Sequence, residues 1–143
     1  FTDGKVYLIN DKILRTLNSR DGYALQYAVK MGYKIMIVTG GNSKVVEERL
    51  LGLGVHEVHL SSFNKLNVYE DIKKRHNLND ETILYMGDDI PDYHVMQLVG
   101  LPTCPQDASP EIKAISKYIS HKNGGHGSVR DIIEQVLKVQ LSA

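Results

Sequence analysis

Short apolar runs alternate with stretches of helical periodicity along this chain, and each run ends in a polar or glycine-rich turn. Two of the runs, residues 35–38 and 83–86, are apolar at every position. Continuous apolar runs of this length are typical of strands that are buried on both faces of a parallel sheet. The alternation therefore predicts an α/β fold, with a parallel sheet and helices on both faces.

The remaining elements follow from periodicity and from helix start and stop signals. Ser43 is predicted to cap the second helix and Ser128 the last one. We expect a single domain over residues 1–143, with further strands at 57–60, 101–105 and 118–120, and with helices at 23–29, 44–51, 66–76, 93–99, 110–117 and from 128 onward.

The amino-terminal part of the chain has a β-hairpin pattern. Residues 6–9 and 13–17 are rich in apolar side chains and flank the polar sequence Asn10-Asp11-Lys12. An isolated apolar hairpin is only marginally stable in water, so we expect it to pack against something outside its own core. This is the first indication of an oligomer.

Composition excludes some classes of partner. Seventeen basic residues balance seventeen acidic ones, so no net field attracts nucleic acid or anionic lipid. The one basic run, Lys73-Lys74-Arg75, is better explained as a solvated helix face. No apolar run approaches the ~20 residues that a membrane span needs. The single Cys104 excludes an internal disulfide and fits a reducing, cytoplasmic location.

The turn after residues 83–86 carries three aspartates, Asp88, Asp89 and Asp92. Like charges this close are unfavourable unless a cation or protons neutralise them. Pro91 suits the first turn of a following helix, so one interpretation is a loop with an aspartate as helix N-cap. The other is a site for a hard cation with oxygen ligands, which would be Mg²⁺.

Three strand ends carry polar side chains: Thr39-Gly40 after one strand, Lys65 just after the next, and Asp88-Asp89 after a third. In a doubly wound sheet the carboxyl ends of the strands meet at one edge, where ligands bind. A hydroxyl with neighbouring N–H groups, an ammonium and a carboxylate-bound cation together form a phosphoryl-binding set.

These residues resemble the second, third and fourth motifs of the haloacid dehalogenase superfamily: Val38-Thr39-Gly40, Lys65 and Gly87-Asp88-Asp89-Ile90-Pro91-Asp92. Further motifs are similar to the small, capless sugar-acid phosphatases of that superfamily, typified by 3-deoxy-D-manno-octulosonate 8-phosphate (KDO 8-phosphate) phosphatase. They are Thr2-Asp3-Gly4, Arg20-Asp21-Gly22, Asn64-Lys65-Leu66, Val99-Gly100-Leu101, Asp107-Ala108 and Gly124-Gly125-His126-Gly127. The similarity runs from residue 1 to about residue 140.

The resemblance implies a Rossmann-like sheet with a protruding hairpin and no cap domain. It also implies Mg²⁺-dependent hydrolysis of a phosphorylated 3-deoxy-2-keto sugar acid, KDO 8-phosphate to KDO and phosphate, through an aspartyl-phosphate. Asp88 would bind the metal. Asp92 and Asp89 would support the metal waters and hold Lys65, and Thr39 and Lys65 would bind the transferring phosphoryl group.

The resemblance further implies a homotetramer, in which the hairpin and the glycine loop of one subunit close a neighbour's site. Arg20 then has two interpretations, a contact with the sugar acid or a salt bridge at the helix entry. Gly41 and His126 stand where relatives often carry a charged residue and an Arg, respectively, so the sugar acid itself is left open. His126 either binds a carboxylate when protonated or is a solvent-exposed loop residue. With Gly40, these residues are the candidate substrate-binding set.

One part of the family's pattern is not in residues 1–143. Its nucleophile and general acid are aspartates of a D-x-D-G motif that ends just ahead of Phe1-Thr2-Asp3-Gly4, and that segment is the central strand of the sheet. Without it the strands at 35–38 and 83–86 would each lose a neighbour. We therefore expect the chain to be part of a longer protein.

Two other functions fit parts of the pattern. A non-catalytic module of the same fold could serve oligomerisation, as in domains fused to sugar-nucleotide synthetases, but it has no need for all of Thr39, Lys65, Asp88 and Asp92. A phospho-accepting receiver domain also uses Asp, Thr and Lys. Its acidic pair follows the first strand, so the order of residues in this chain disfavours it.

Overall fold

Strands and helices alternate along the computed structural model, which describes residues 7–9, 12–14 and 18–142. The described strands are β1 (Tyr7–Ile9), β2 (Lys12–Leu14), β3 (Met36–Val38), β4 (Glu57–His59), β5 (Leu84–Met86), β6 (Leu101–Cys104) and β7 (Tyr118–Ile119). The described helices are α1 (Ser19–Lys30), α2 (Lys44–Gly52), α3 (Lys65–Arg75), α4 (Tyr93–Leu98), α5 (Pro110–Ile115) and α6 (Ser128–Ser142). Two 3-10 turns, Asp80–Thr82 and Ile90–Asp92, flank β5.

The pairing of the strands agrees with the predicted α/β class. β3 pairs with β4, and β5, β6 and β7 follow one another in a second sheet, all of them parallel. β1 and β2 form the predicted antiparallel hairpin, with Tyr7 opposite Leu14 and Ile9 opposite Lys12. The hairpin positions predicted at 6, 10, 11 and 15–17 lie outside the described residues.

The prediction that β3 and β5 are buried on both faces is wrong. β3 is half-buried along its length, and Leu84 of β5 is 37% exposed. The physical reason is that both strands lie at the edge of a sheet. Among the described residues β3 pairs only with β4, and β5 only with β6, so one side of each strand has no neighbouring strand. A cavity of about 980 Å³ lies between these two strands, and Ile37 and Met86 are among the residues that line it.

Three apolar clusters hold the helices onto the strands. The largest joins α1, α2 and α6 through Leu25, Leu50 and Val129, with residues of β3 and β4 packed against it. The other two lie beneath α3, α4 and α5, where Met96 and Ile112 are almost completely buried. The helices therefore position the loops at the carboxyl ends of the strands, which is where the candidate site lies.

Side chains start most of the helices. Ser43 accepts the N–H of Val46 and caps α2, as predicted. The predicted cap at Ser128 is wrong, because Ser128 is itself the first residue of α6 and its buried hydroxyl has no described partner. The N–H of Arg130 instead donates to Oδ1 of Asp21, 3.0 Å away in α1. A carboxylate from one helix thus caps another.

The basic run at the end of α3 contributes to this packing. Lys73 donates to Asp80 and Arg75 forms a two-pronged ion pair with Glu57. The run was predicted to be a solvated helix face, and Lys74 and Arg75 are exposed. The ion pairs in addition tie α3 to β4 and to the turn before β5. None of the described helices has the length and apolar composition needed to cross a membrane.

Candidate functional site

Side chains from three loops meet around the cavity between β3 and β5. Thr39 and Gly41 follow β3, Lys65 begins α3 after β4, and Asp88 and Asp92 follow β5. All five line the cavity. The carboxyl ends of the strands thus bring together the hydroxyl, ammonium and carboxylate groups that the sequence spreads over 54 positions, from 39 to 92.

Asp92 is the most heavily bonded of these residues. Its side chain is buried, with 3% of the residue exposed. Oδ1 accepts hydrogen bonds from Nζ of Lys65 at 2.9 Å and from the hydroxyl of Tyr85 at 2.7 Å. Oδ2 accepts from the N–H groups of Asp88 and Asp89, at 3.0 and 3.3 Å. Burial works to raise the pKa of Asp92, but the bond from Tyr85 and the charge of Lys65 hold it below its usual value.

Gly87 explains how Asp92 comes this close to the backbone. A Cβ atom on Gly87 would lie 2.5 Å from Cβ of Asp92 and 2.9 Å from its Oδ2. Atoms of a real side chain do not approach that closely, so any other residue at position 87 would displace Asp92. The glycine that follows β5 is therefore required by its packing against the carboxylate.

Asp88 lies at the mouth of the cavity, and its side chain is exposed. Its carboxylate has no hydrogen-bond donor among the described residues, while its carbonyl accepts the N–H of Ser109 at 2.9 Å. Desolvation by the surrounding protein raises the pKa of Asp88, and the negative charge of Asp92 raises it further. The positive charge of Lys65 opposes both effects. The charged form of Asp88 is thus disfavoured by its surroundings, which a cation would relieve.

Asp89 has a different environment. Its Oδ1 accepts the N–H of Ile90 at 2.8 Å and starts the 3-10 turn, in which Pro91 occupies the first turn. Asp89 thus acts as the N-cap in the first interpretation of the acidic sequence. The described residues contain no group of three or more His, Cys, Asp or Glu side chains arranged around a metal position. Mg²⁺ is commonly bound by only one or two carboxylates together with water and substrate phosphate, so the Asp88 carboxylate fits it.

The loops after β3 and β4 are tied to each other. Oγ1 of Thr39 accepts the N–H of Gly41 at 3.1 Å. The N–H of Ser61 donates to the carbonyl of Gly41, and that of Ser62 to the carbonyl of Thr39. Asn64 caps α3 by accepting the N–H of Asn67. These bonds tie the loop that carries Thr39 to the loop that leads into Lys65, the first residue of α3.

The other predicted substrate-binding residues lie farther out. Arg20, Gly40 and His126 are exposed and do not line the cavity, although Gly124 of the glycine loop does. Arg20 makes no ion pair with any described residue, so a salt bridge at the helix entry is not found there. The side-chain amide of Asn18 donates to the carbonyl of Gly125 and holds the glycine loop beside the start of α1.

Sequence reasoning did not identify Tyr85. Its position inside an apolar run indicated a core residue, and its ring does pack against the clusters beneath α4. The available signal was its hydroxyl, a polar group on a strand three residues before the acidic turn. A phenol in such a place usually finds a hydrogen-bond partner, and in the structure that partner is Asp92.

Known proteins with similar sequences and structures share this arrangement of elements. The haloacid dehalogenase-like hydrolase family matches residues 52–133. The 3-deoxy-D-manno-octulosonate 8-phosphate phosphatase KdsC of Salmonella typhi is 34% identical over 140 residues, which cover 97% of this chain and 74% of that protein. The crystal structure of the phosphatase of that name from Yersinia pestis has a TM-score of 0.93 and 31% identity, over 97% of this chain and 76% of that one. The enzyme from Moraxella catarrhalis, solved with magnesium, phosphate and KDO, has a TM-score of 0.92 and 28% identity. The match covers 96% of this chain and 79% of that one.

Proposed function

Because this chain belongs to the haloacid dehalogenase-like hydrolase family, we propose that it hydrolyses the phosphate ester of a 3-deoxy-2-keto sugar acid, with KDO 8-phosphate as substrate. The single observation that carries the proposal is the ion pair of Lys65 with buried Asp92, at the edge of a cavity that Asp88 and Thr39 also line. Similarity to KDO 8-phosphate phosphatases over nearly the whole chain supports the choice of substrate.

Lys65 and Thr39 bind the transferring phosphoryl group in this proposal. Asp92 holds the Lys65 ammonium 2.9 Å away, which leaves other N–H donors of the same ammonium free to face the cavity. The Thr39 hydroxyl, from the loop after β3, supplies a second donor to the same cavity. Fixed donors in a cavity of low polarity stabilise the charge of a phosphoryl group because they need no reorganisation during the reaction. In the family the nucleophile is an aspartate of the D-x-D motif, which is not among residues 1–143.

Asp88 would hold a Mg²⁺ ion, with Asp89 near enough in sequence to support its waters. When bound, the ion neutralises phosphate oxygens and polarises the ester. Asp88 suits this role because its carboxylate is exposed at the cavity mouth and lacks a described hydrogen-bond donor. The solved complex of the Moraxella catarrhalis enzyme with magnesium, phosphate and KDO supports Mg²⁺ as the ion in this proposal.

The sugar acid would extend from the phosphate toward the outer residues of the candidate set, Arg20, Gly40, Gly41 and His126. Arg20 is exposed and makes no described ion pair, so its guanidinium is available for a carboxylate. A homotetramer, with the hairpin and the glycine loop at a neighbour's site, would complete the substrate pocket. Cytoplasmic location stays a prediction, as does the tetramer.

The alternative, a non-catalytic module that serves oligomerisation, is less well supported. Such a module needs its packing residues and has no use for a buried carboxylate with four hydrogen bonds that holds a lysine beside a cavity. Buried ion pairs of this kind contribute little to stability compared with apolar packing. A site built from them is better explained by binding of an anion.

Phosphate release tests the proposal. We expect the protein that carries the D-x-D motif together with residues 1–143 to release phosphate from KDO 8-phosphate or a related nonulosonate phosphate with Mg²⁺, and not with EDTA. Lys65→Ala and Asp88→Ala should each lower kcat by about 10²–10³-fold, the usual loss for a charge-stabilising group. Lys44→Ala, at an exposed lysine of α2 that pairs only with Glu47, is the control. Full activity in either site variant would contradict the assignment.

A further inference from the structure

We propose that Tyr85 is a positioning residue for the phosphoryl-binding lysine, because its hydroxyl fixes the Asp92 carboxylate to which the Lys65 ammonium is bound. The proposal concerns a residue outside the candidate set of the sequence analysis. Its kinetic consequences rest on the proposed function, whereas its structural consequence does not.

The geometry of Asp92 carries the inference. A carboxylate has about four lone-pair positions, and four donors occupy them here. Oδ1 accepts hydrogen bonds from the Tyr85 hydroxyl at 2.7 Å and from the Lys65 ammonium at 2.9 Å. Oδ2 accepts hydrogen bonds from two backbone N–H groups. The two backbone bonds hold Oδ2 of the carboxylate against the turn after β5. Among the described residues, the hydroxyl of Tyr85 is the one side-chain donor to Asp92 besides Lys65, so it determines the position at which Oδ1 meets the ammonium.

Tyr85 is suited to this role by its position on β5. Its ring packs against the apolar clusters beneath α4, and this packing fixes the position of the hydroxyl. Burial and the charge of Asp92 raise the pKa of Tyr85 far above its usual value, which keeps the group a donor. A phenylalanine would fill the same volume and keep the same packing. The hydroxyl alone therefore distinguishes a positioning role from a core role.

Loss of the hydroxyl has a definite consequence. Among the described residues, Lys65 would then be the only donor to Oδ1 of Asp92, so this oxygen could shift although Oδ2 keeps its two backbone bonds. The ammonium would then follow the carboxylate and spend less time facing the cavity. Binding of the sugar acid would change little, since that part of the substrate is held elsewhere. Stabilisation of the transferring phosphoryl group would fall, because it depends on the exact placement of the ammonium.

Tyr85→Phe tests this, with Tyr93→Phe as the matched control. Tyr93 packs against the same cluster, but its hydroxyl is bonded to neither Asp92 nor Lys65. For Tyr85→Phe we expect kcat to fall about 10-fold and the inhibition constant of orthovanadate to rise about 10-fold, with KM within about twofold. In ¹⁵N-lysine NMR, the Lys65 ammonium signal should broaden or disappear in this variant and stay in the control.

The outcomes separate this proposal from the function itself. If the wild-type protein releases no phosphate, the proposed function fails, and the NMR comparison still decides whether Tyr85 positions Lys65. An unchanged Lys65 signal in folded Tyr85→Phe, together with wild-type kcat and vanadate inhibition, would overturn the proposal. Replacement of Tyr85 by 3-fluorotyrosine keeps the hydroxyl and should keep kcat and the signal, even if Tyr85→Phe does not fold. Loss of kcat and of the Lys65 signal with 3-fluorotyrosine, which still donates its hydroxyl, would also overturn it.

Discussion

The ammonium of Lys65 lies 2.9 Å from Oδ1 of Asp92, although 27 residues separate the two in sequence. Lys65 begins the helix after β4 and Asp92 ends the turn after β5, so parallel strands bring the two charges to the same edge. Both side chains are largely removed from water, with 16% and 4% of their surfaces exposed. A pair so placed holds the Lys65 ammonium beside a cavity in which an anion can bind.

Asp88→Asn should stabilise the metal-free protein. A carboxyl with a raised pKa binds its proton more tightly in the folded state, so at neutral pH its charge opposes folding. We expect Tm in EDTA to rise by about 2 °C in the variant at pH 7. The difference should shrink as the pH falls toward the pKa of Asp88, because the wild-type carboxyl then takes up its proton.

Saturating Mg²⁺ should reverse that order, since only the wild-type carboxylate gains binding energy from the ion. Glu48→Gln, at an exposed residue of α2, controls for the loss of one negative charge. Scanning calorimetry measures all of these values. If Mg²⁺ raised Tm equally in wild type and Asp88→Asn, Asp88 would not be the metal ligand.

Gly87→Ala should damage both stability and activity. The new methyl group would lie 2.5 Å from Cβ of Asp92, and either the turn or the carboxylate must move. We expect a loss of about 1–3 kcal/mol in the free energy of unfolding by urea, and a loss of phosphate release. Gly52→Ala is the matched control, because no atom lies within 4 Å of its added Cβ. Equal stability of the two variants would be evidence against this packing.

Asp21→Ala should lower the free energy of unfolding by about 1–2 kcal/mol. Its carboxylate is fully buried and caps α6 through the N–H of Arg130. Ser128→Ala should cost less than about 0.5 kcal/mol, because the hydroxyl it removes has no described partner. Urea unfolding followed by circular dichroism compares the two. The opposite ranking would restore Ser128 as the cap.

Leu8→Glu should shift the proposed tetramer toward monomer in light scattering. Leu8 pairs with Ile13 in the hairpin of β1 and β2, and a charge there would oppose burial against a neighbour. Val45→Glu, at a position that is 76% exposed on α2, is the control. An unchanged mass for Leu8→Glu would mean that the hairpin does not form the interface.

The elements that the sequence predicted well are those with a strong local pattern. The alternation of apolar runs and helices predicted the parallel strands, and Ser43 marked the start of α2. The first helix was predicted from residue 23 but begins at Ser19, since the side chain of Asn18 accepts the N–H groups of Arg20 and Asp21. The sequence Arg20-Asp21-Gly22, which was expected to lead into the helix, therefore belongs to its first turn.

Contacts between distant parts of the chain were not predictable in the same way. The cap from Asp21 to α6 spans 109 positions, and the bond from Tyr85 to Asp92 depends on which face of β5 the ring occupies. Periodicity identifies a face, but it does not show which polar group will meet it. The candidate site was predictable only where the strand order placed loop residues together, as for Thr39, Lys65 and Asp88.

A crystal structure of the protein grown with Mg²⁺ and inorganic phosphate tests the central claim most directly. We expect the phosphate within hydrogen-bonding distance of Nζ of Lys65 and Oγ1 of Thr39, and the magnesium ion between the phosphate and the Asp88 carboxylate. Lys65 should keep its bond to Asp92 in that complex. A phosphate bound elsewhere, with Lys65 and Asp88 both unliganded, would contradict the assignment of this cavity as the phosphoryl-binding site.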